Sequence, residues 1–428
     1  MVMNYQDAME WIHNRHKFGI KPGLQRMEWL MSRLGNPEQH LQAIHVAGTN
    51  GKGSTISFIR NMLQAHGYTV GTFTSPYVVT FNERISINGK PLADEEWAEL
   101  VDKIKPLAEE LETLPLGGPT EFEVITALAI LYFSEHPQDI VLMETGLGGR
   151  LDSTNVISPI LSVITSIGKD HTAILGETME EIASEKAGII KPGVPVITGV
   201  ENPNALNVIK QKAIIEDAKL DTLGDQFQII DVSTTPIGEQ FNFTNEMINW
   251  DELVIHMKGK HQMKNAALAI QAVTQCLTHV SEEKVREGLL TTSWVGRFEQ
   301  VFDHPPIILD GAHNEEGIQA MTQTVRDHYH DKKKHLLFAA LHDKPLDKMV
   351  PLFTNTFDTV TFTSFSFPRA TNPEELYSLS SHPRKDKTYD WKEFVMESMK
   401  TLSKEEVLII SGSLYFISEV RKFFENIG

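Results

Sequence analysis

A glycine-rich stretch near the start of the chain has the residue types of a phosphate-binding loop. It reads Val46-Ala47-Gly48-Thr49-Asn50-Gly51-Lys52-Gly53-Ser54, and it lies between the apolar run 43–46 and a segment, 55–66, with apolar residues at helical spacing. Glycines let the backbone approach an anion closely, amides at a helix start point toward it, and Lys52 adds a mobile positive charge. This context predicts an ATP site made of Gly48, Thr49, Asn50, Gly51, Lys52, Gly53 and Ser54.

The match to the common nucleotide-loop pattern is incomplete. Val46 stands where that pattern has its first glycine, and Gly53 separates Lys52 from the hydroxyl of Ser54. A glycine-rich loop with a chance lysine is therefore the alternative interpretation. The strand before the loop and the helix after it favour the phosphate site.

Acidic and imidazole side chains follow two further apolar runs. The run 139–143 ends in Glu144, and the glycine loop 145–152 comes directly after it. A carboxylate at the end of a buried strand is the group that phosphate-loop enzymes use to hold Mg²⁺ near the phosphates. The run 160–167 leads to His171, which is a second metal candidate, although a lone histidine is more often structural.

Composition limits the class of protein. The 428 residues exceed the length at which one hydrophobic core usually keeps growing, which predicts two domains. A formal net charge of −18 argues against nucleic-acid and anionic-membrane surfaces. Cys276 is the only cysteine, and the start of the chain lacks the basic and apolar regions of a signal peptide. We therefore expect a cytoplasmic protein without nucleic-acid or membrane partners. A monomer that acts on small molecules is a further expectation, which composition does not determine.

The pattern along the chain predicts an α/β protein, because apolar strands alternate with helical segments in both halves. The alternation restarts with strands at 307–309, 336–340, 359–363 and 407–410. We place the domain boundary near 294–297. The prediction is an N-terminal phosphate-loop ATPase domain, residues 1–296, and a smaller Rossmann-like α/β domain, residues 297–428.

Taken together, the motifs resemble those of the folylpolyglutamate synthase/dihydrofolate synthase family, within the Mur-type ADP-forming amide ligases. The matching segments are 48–54, 74–76, 82–85, 122–123, 144–150, 152–155, 170–171, 185–189, 310–314 and 411–415. They appear in the family's order and span nearly the whole chain. The resemblance implies a Mur ligase-type ATPase domain followed by a C-terminal glutamate ligase domain.

The resemblance also implies roles that the residues alone do not indicate. The implied Mg²⁺ ligands are Ser75, Glu144, His171 and Lys186, the last as a carbamate, and the implied catalytic residues are Lys52, Glu144, His171 and Lys186. The further implied ATP contacts are Asn265, Arg297, Asp310 and His313. The implied folate-side residues are Lys21, Pro22, Gly23, Leu24, Pro76, Tyr77, Thr120, Glu121, Phe122, Glu123, Leu151, Asp152 and Ser153. Without the resemblance, Lys186 would be interpreted as an exposed helical lysine.

The implied reaction adds L-glutamate to the γ-carboxylate of a reduced folate through an acyl phosphate, using ATP, two Mg²⁺ ions and, as a further candidate, K⁺. Tyr77 stands where many members have histidine, a departure that bears on the pterin substrate. Tyr77 and its neighbourhood resemble members that carry out polyglutamylation, so we expect that activity. A bifunctional enzyme that also makes dihydrofolate from dihydropteroate is the alternative. From other classes, a phosphate-loop kinase and a nucleotide-dependent switch stay open.

Overall fold

The computed structural model describes residues 3–19 and 21–427, and the ends of the predicted domains, Met1 and Gly428, lie outside them. The chain forms two compact units. The first holds the chain up to Ile230 with Phe243–Asp251 and Lys264–Thr291, and the second holds Asp231–Asn242, Glu252–Met263 and the chain from Thr292 onward. The chain alternates between the two units from 231 to 291. The division at 1–296 and 297–428 stays a prediction.

Helices and strands alternate through the described residues. The helices are α1 (Tyr5–His13), α2 (Gln25–Arg33), α3 (Lys52–Ala65), α4 (Asp94–Glu112), α5 (Glu121–Glu135), α6 (Thr172–Leu175), α7 (Met179–Ala187), α8 (Pro203–Ile215), α9 (Lys260–Cys276), α10 (Glu282–Thr291), α11 (Glu315–His328), α12 (Leu346–Met349), α13 (Pro373–Leu379), α14 (Trp391–Thr401) and α15 (Leu414–Ile427). The strands are β1 (Ala43–Ala47), β2 (Val70–Phe73), β3 (Ile85–Ile87), β4 (Lys90–Pro91), β5 (Ile140–Glu144), β6 (Leu161–Ile164), β7 (Val196–Thr198), β8 (Leu220–Thr222), β9 (Phe227–Thr235), β10 (Gly238–Asn245), β11 (Asn249–Ile255), β12 (Glu299–Asp303), β13 (Pro306–Asp310), β14 (Lys333–Phe338), β15 (Thr359–Phe362), β16 (Lys385–Lys387) and β17 (Glu406–Ser411).

The first unit is built on an eight-stranded sheet with the order β4-β3-β2-β5-β1-β6-β7-β8. The six neighbouring strands β2, β5, β1, β6, β7 and β8 are parallel to one another. Strands β3 and β4 extend the sheet beyond β2 with antiparallel pairing. Strand β1 lies in the middle, where Val46 is in register with Glu144 of β5 and Val163 of β6. The predicted phosphate loop and the predicted strand-end carboxylate therefore meet at the carboxyl edge of the sheet.

Both faces of this sheet are covered, which explains why β1 and β5 are buried at every position. One face shares a core with α1, α2, α4 and α5, and that core includes Met27, Trp97, Leu128, Phe133 and Met143. The other face shares a core with α7 and α8, and that core includes Ala47, Ile164, Ala183 and Ile209. The packing fixes the strand ends that carry the site.

The second unit contains a six-stranded sheet with the order β12-β13-β17-β14-β15-β16, parallel except for the β12–β13 pair. Alternate residues enter two cores, with Ile308 and Leu336 on one face and Leu309 and Leu337 on the other. Strands β9 to β11 form a separate three-stranded sheet. The predicted α/β class is thus confirmed. Within the described ranges, we find no helix that is long and apolar enough to cross a membrane.

Candidate active site

The phosphate loop turns at glycines that have no room for a side chain. Gly51 precedes α3 with a left-handed backbone (φ 90°), which glycine adopts without strain. A Cβ at Gly51 would lie 2.4 Å from Oδ1 of Asn265, and one at Gly48 would lie 1.9 Å from Oγ1 of Thr165. Asn265, predicted as an ATP contact, therefore lies directly against the loop.

Polar groups that follow β6 hold the phosphate loop in place. The Ser166 hydroxyl oxygen accepts a hydrogen bond from the Asn50 amide (2.9 Å), and the Thr165 hydroxyl donates to the Asn50 carbonyl (2.7 Å). The Gly168 amide donates to Oγ1 of Thr49 at 2.9 Å. Thr165 and Ser166 are not among the site residues that the sequence predicts. Two hydroxyl residues directly after a buried parallel strand are the signal that could have identified them.

Two lysines share one backbone carbonyl at this edge. Nζ of Lys52, the first residue of α3, lies 3.1 Å from the carbonyl oxygen of Gly48, and Nζ of Lys186 on α7 lies 3.0 Å from the same oxygen. Oε1 of Glu144 lies 3.8 Å from Nζ of Lys52. The structure thus brings together three of the four predicted catalytic residues around the backbone of the loop.

Lys186 is not the exposed helical lysine that its sequence context suggests, because only 4% of the residue is exposed. Burial and, to a lesser extent, the positive charge of Lys52 lower the pKa of Lys186 to about 7, although Asp170 and Asp152 act in the opposite direction. No carboxylate of the described chain lies within 4.0 Å of its amine, whose hydrogen bond goes to the Gly48 carbonyl. A substantial neutral fraction of this amine is therefore expected at neutral pH.

Glu144 is held in place by the segment that follows β2. Because β2 pairs in parallel with β5, the residues after Phe73 pass beside Glu144, and the Ser75 amide donates to Oε2 of Glu144 at 3.0 Å. Glu144 is 4% exposed, whereas Pro76 is exposed. Ser75 and Glu144, both predicted metal ligands, are direct neighbours.

His171 lies at the start of α6, after β6. Its backbone is left-handed (φ 52°), and its amide donates to Oδ1 of Asp170 at 2.9 Å. Nε2 of His171 lies 3.9 Å from the same carboxylate oxygen, and 48% of the histidine side chain is exposed. The ring is therefore accessible to solvent at the carboxyl edge of the sheet.

A buried ion pair joins two of the predicted folate-side segments. Nε of Arg26 lies 3.0 Å from both carboxylate oxygens of Glu123, and Nη2 of Arg26 donates to the Lys21 carbonyl at 2.7 Å. Glu123 also accepts from the Thr120 amide at 2.7 Å, and its own amide donates to Oγ1 of Thr120. Thr120 and Glu123 therefore form the capping box at the start of α5. The folate-side segment 21–24 leads into α2. In it, Pro22 is exposed, and Gly23 and Leu24 are half-buried.

Asp152 ties the glycine loop after β5 to a 3₁₀ helix, Ser153–Val156. Its Oδ2 accepts from the Leu147 amide at 2.7 Å, and its Oδ1 accepts from the Thr154 hydroxyl at 2.5 Å and amide at 3.0 Å. Burial raises the pKa of Asp152, and these hydrogen bonds oppose the rise. Nε2 of His45 on β1 lies 2.8 Å from Oγ1 of Thr154, a link that the sequence did not indicate. Leu151 and Ser153, which flank Asp152 in the sequence, are half-buried.

Aromatic residues line the folate-side segments. The rings of Tyr77 and Phe81 are 5.7 Å apart, and the Arg84 guanidinium lies 5.3 Å from the Tyr77 ring and 5.4 Å from the Phe81 ring. The ring of Phe122 packs against the backbone at Gly146, where a Cβ would lie 2.5 Å from it. These contacts form a partly apolar wall beside the glycine loop.

The second unit carries the remaining predicted ATP contacts at the carboxyl end of β13. Asp310 is 8% exposed, and its carboxylate accepts hydrogen bonds from the amides of Phe298 and Ala312, both at 3.0 Å. Burial raises the pKa of Asp310, and the nearby Arg297 opposes the rise. His313 follows in the same loop, so Arg297, Asp310 and His313 form one cluster.

Two parallel sheets, with a phosphate loop and a strand-end carboxylate at the carboxyl edge of the first, are the architecture of a nucleotide-dependent ligase of the Mur class. The family described as the Mur ligase middle domain matches residues 110–273, and the family described as Mur ligase, glutamate ligase domain, matches residues 296–414. The chain is also 49% identical, over 427 residues and 99% of both chains, to the dihydrofolate synthase/folylpolyglutamate synthase of Bacillus subtilis. It belongs to the folylpolyglutamate synthase/dihydrofolate synthase family.

Two further comparisons agree with this membership. The folylpolyglutamate synthase of Lacticaseibacillus casei is 34% identical over 98% of both chains. The structure of Mycobacterium tuberculosis folylpolyglutamate synthase complexed with ADP is similar with a TM-score of 0.91, at 27% sequence identity and over 98% of both chains. These matches cover 98% or more of the chain.

Proposed function

We propose that this protein is an ATP-dependent ligase that joins the amine of L-glutamate to the γ-carboxylate of a reduced folate, with ADP and phosphate as the other products. The observation that carries the proposal is the edge where Lys52, Lys186 and Glu144 surround the phosphate loop, in a chain similar along its length to folylpolyglutamate synthases. A cytoplasmic monomer is part of the same proposal.

The phosphate loop would bind ATP through its backbone and through Lys52. The amides of Gly53 and Ser54 lie in the first turn of α3, where they would donate hydrogen bonds to a phosphate bound at the helix start. Lys52 rests on the Gly48 carbonyl, and its flexible chain can move to the phosphates. Asn265 would contact the same nucleotide from α9, since it already touches the loop at Gly51.

The residues at this edge fit Mg²⁺, which prefers oxygen ligands. Glu144 offers a buried carboxylate, and Ser75, whose amide already donates to that carboxylate, offers a hydroxyl. Ser75, Glu144, His171 and Lys186 would hold the ions, with Lys186 as a carbamate. When bound, Mg²⁺ neutralises charge on the phosphoryl group during transfer. A role for K⁺ stays a prediction.

Carbamylation of Lys186 is chemically reasonable at this position. Only the neutral amine reacts with CO₂, and burial beside Lys52 favours that form, as the pKa of about 7 indicates. The product is an anion, so its repulsion from the positive charge of Lys52 would be replaced by attraction. The carbamate oxygens would also complete an oxygen-rich set of metal ligands. We therefore assign Lys186 the role of a metal ligand.

The bond changes follow from the poor reactivity of a carboxylate. An oxygen of the folate γ-carboxylate attacks the terminal phosphorus of ATP, which forms an acyl phosphate and releases ADP. The glutamate amine then attacks the acyl carbon, and the tetrahedral intermediate expels phosphate to leave an amide. Lys52 would stabilise the charge that develops on the phosphoryl oxygens. Arg297, Asp310 and His313 would contact ATP from the second unit.

The folate would lie along the segments fixed by the Arg26–Glu123 pair and by Asp152. The residues that we assign to this side are Lys21, Pro22, Gly23, Leu24, Pro76, Tyr77, Thr120, Glu121, Phe122, Glu123, Leu151, Asp152 and Ser153. The Phe122 ring and the Tyr77 ring supply flat apolar surface for a pterin. The B. subtilis relative is named for both activities, which supports the bifunctional alternative, in which dihydropteroate also enters.

Release of inorganic phosphate from ATP tests the proposal. We expect release to require both L-glutamate and a folate, and we expect tetrahydrofolate and dihydropteroate, tested separately, to distinguish the one-activity enzyme from the bifunctional one. A kinase would form ADP without free phosphate, and a nucleotide switch would ignore the folate. Phosphate release without glutamate would contradict the ligase.

A further inference from the structure

Two histidines and a glutamate in the first unit, none of them part of the phosphate loop, bring their side-chain ligand atoms together. His13 is the last residue of α1, His16 lies in the 3₁₀ helix Asn14–Phe18 that follows, and Glu121 is the first residue of α5. One ligand atom from each lies within 4.8 Å of the other two. The three residues come from segments more than a hundred positions apart, so the fold itself creates the group.

The spacing of the atoms is close to that of a metal site. Nδ1 of His13 lies 3.4 Å from Oε1 of Glu121, and Nε2 of His16 lies 2.8 Å from Oε2. Ligands about 2.1 Å from a tetrahedral ion are roughly 3.4 Å from one another. Side-chain rotations that adjust these separations, all of which are within 4.8 Å, would bring one ligand atom from each residue to one ion.

Neighbouring rings and the start of α5 contact these side chains, and both histidines stay open to solvent. The imidazole rings of His13 and His16 are stacked, with centroids 6.0 Å apart and planes 5° from parallel, and the rings of His13 and Phe81 meet edge to face with centroids 5.4 Å apart. Glu121 lies in the first turn of α5, where the helix dipole favours a carboxylate. The side chains of His13 and His16 are 45% and 75% exposed, so water can supply a fourth ligand.

We propose that His13, His16 and Glu121 form a binding site for a divalent transition-metal ion of the zinc class. Two imidazole nitrogens and one carboxylate oxygen, with an open fourth position, match the preference of Zn²⁺. Mg²⁺ prefers oxygen ligands and keeps its waters, so this site is chemically distinct from the nucleotide edge. The alternative is that the histidines only hydrogen-bond to Glu121.

Titration calorimetry of the full chain with Zn²⁺, in buffer with excess Mg²⁺, tests the proposal without using activity. This matters because Glu121 is also a predicted folate-side residue. We expect His16→Ala and Glu121→Gln to weaken one Zn²⁺ binding event at least about 10-fold. The matched controls, His40→Ala at an exposed histidine and Glu95→Gln in the first turn of α4, should bind as wild type does.

Cobalt provides a second measurement of the same site. Co²⁺ bound by His13, His16 and Glu121 should give the visible absorption of a tetrahedral ion, and both site variants should lose it. His16 is mostly exposed, so its replacement should leave the fold intact, which circular dichroism can verify. Equal Zn²⁺ affinity and stoichiometry in wild type, site variants and controls, or no Zn²⁺ binding by wild type, would overturn the proposal.

Discussion

The carboxyl edges of the two parallel sheets use their charged residues in opposite ways. At the first edge, Lys52 and Lys186 both rest on the Gly48 carbonyl, and Oε1 of Glu144 lies 3.8 Å from Nζ of Lys52. At the second edge, the Asp310 carboxylate is satisfied by the amides of two loop residues at 3.0 Å. At the first edge, the lysine ammonium groups have a neutral carbonyl as their hydrogen-bond acceptor. At the second edge, the Asp310 carboxylate holds the loops around it in place.

From this difference we infer which charged side chains are available to bind a substrate. A lysine on a neutral carbonyl loses little when a phosphate replaces that partner, whereas a buried aspartate bonded to two amides cannot be changed without leaving them unsatisfied. We therefore expect substitutions at the first edge to act mainly on turnover. Substitutions at the second edge should act on ATP binding and on stability.

The largest effect is expected for Lys52→Ala. Loss of a charge contact made in the transition state costs about 3–4 kcal/mol, which is roughly 10²–10³-fold in kcat. Phosphate release and thermal unfolding should be measured together, with Lys210→Ala on the exposed side of α8 as the control. A variant that keeps more than about a tenth of the activity would remove Lys52 from the mechanism.

Lys186→Ala should come next and should be nearly inactive. A short carboxylate added to the assay should restore part of the activity, because it can replace the carbamate as an anionic ligand. In the wild type, activation by bicarbonate should become faster as the pH rises through about 7, where the Lys186 amine becomes neutral. Rescue by a short alkylamine in place of a carboxylate would instead show that the ammonium form is the active one.

Arg297→Ala should produce a smaller change, confined to the nucleotide. If the second edge contributes to ATP binding, the KM for ATP should rise about 10-fold or more, with little change in the KM for folate. Arg384→Ala, at an exposed arginine of the same unit, is the control. Equal changes for both substrates would mean that the second edge has no selective contact with the nucleotide.

Glu239→Gln extends the comparison to a carboxylate with a purely structural role, and it should affect stability more than activity. Oε1 of Glu239 accepts from the Gly259 amide at 2.6 Å and lies 2.7 Å from Nε2 of His328, and Oε2 accepts from the Thr234 hydroxyl at 2.8 Å. The residue is 1% exposed. The variant should lose about 2–4 kcal/mol of unfolding free energy at pH 7 in urea titrations.

The pH dependence of this loss has a definite sign. Burial raises the pKa of Glu239, but the hydrogen bonds from His328, Gly259 and Thr234 outweigh it and leave the pKa below its usual value. The contribution to stability is then complete above the unfolded pKa, about 4.3, and is lost as the pH falls through the lower folded value. The gap between wild type and Glu239→Gln should therefore shrink below about pH 4. A gap that grows in acid would contradict the assignment.

The sequence predicted well what local pattern controls. The apolar run before Gly48 and the helix after Lys52 are β1 and α3, and Glu144 ends β5 as its apolar run implied. The sequence did not predict contacts between segments that are distant along the chain. The burial of Lys186 follows from the packing of α7 against the loop at Gly48, and the pairing of Glu239 with His328 spans 89 positions, so neither leaves a periodic signal in the sequence.

The contact between Gly51 and Asn265 has a consequence for biosynthesis. Asn265 comes 214 positions after Gly51 (265 − 51), yet its side chain occupies the space beside that glycine. A ribosome needs on the order of ten seconds or more to add that many residues. A nascent chain would therefore carry an unfinished phosphate loop until α9 has emerged, and nucleotide binding by the growing polypeptide is delayed to a late stage of translation.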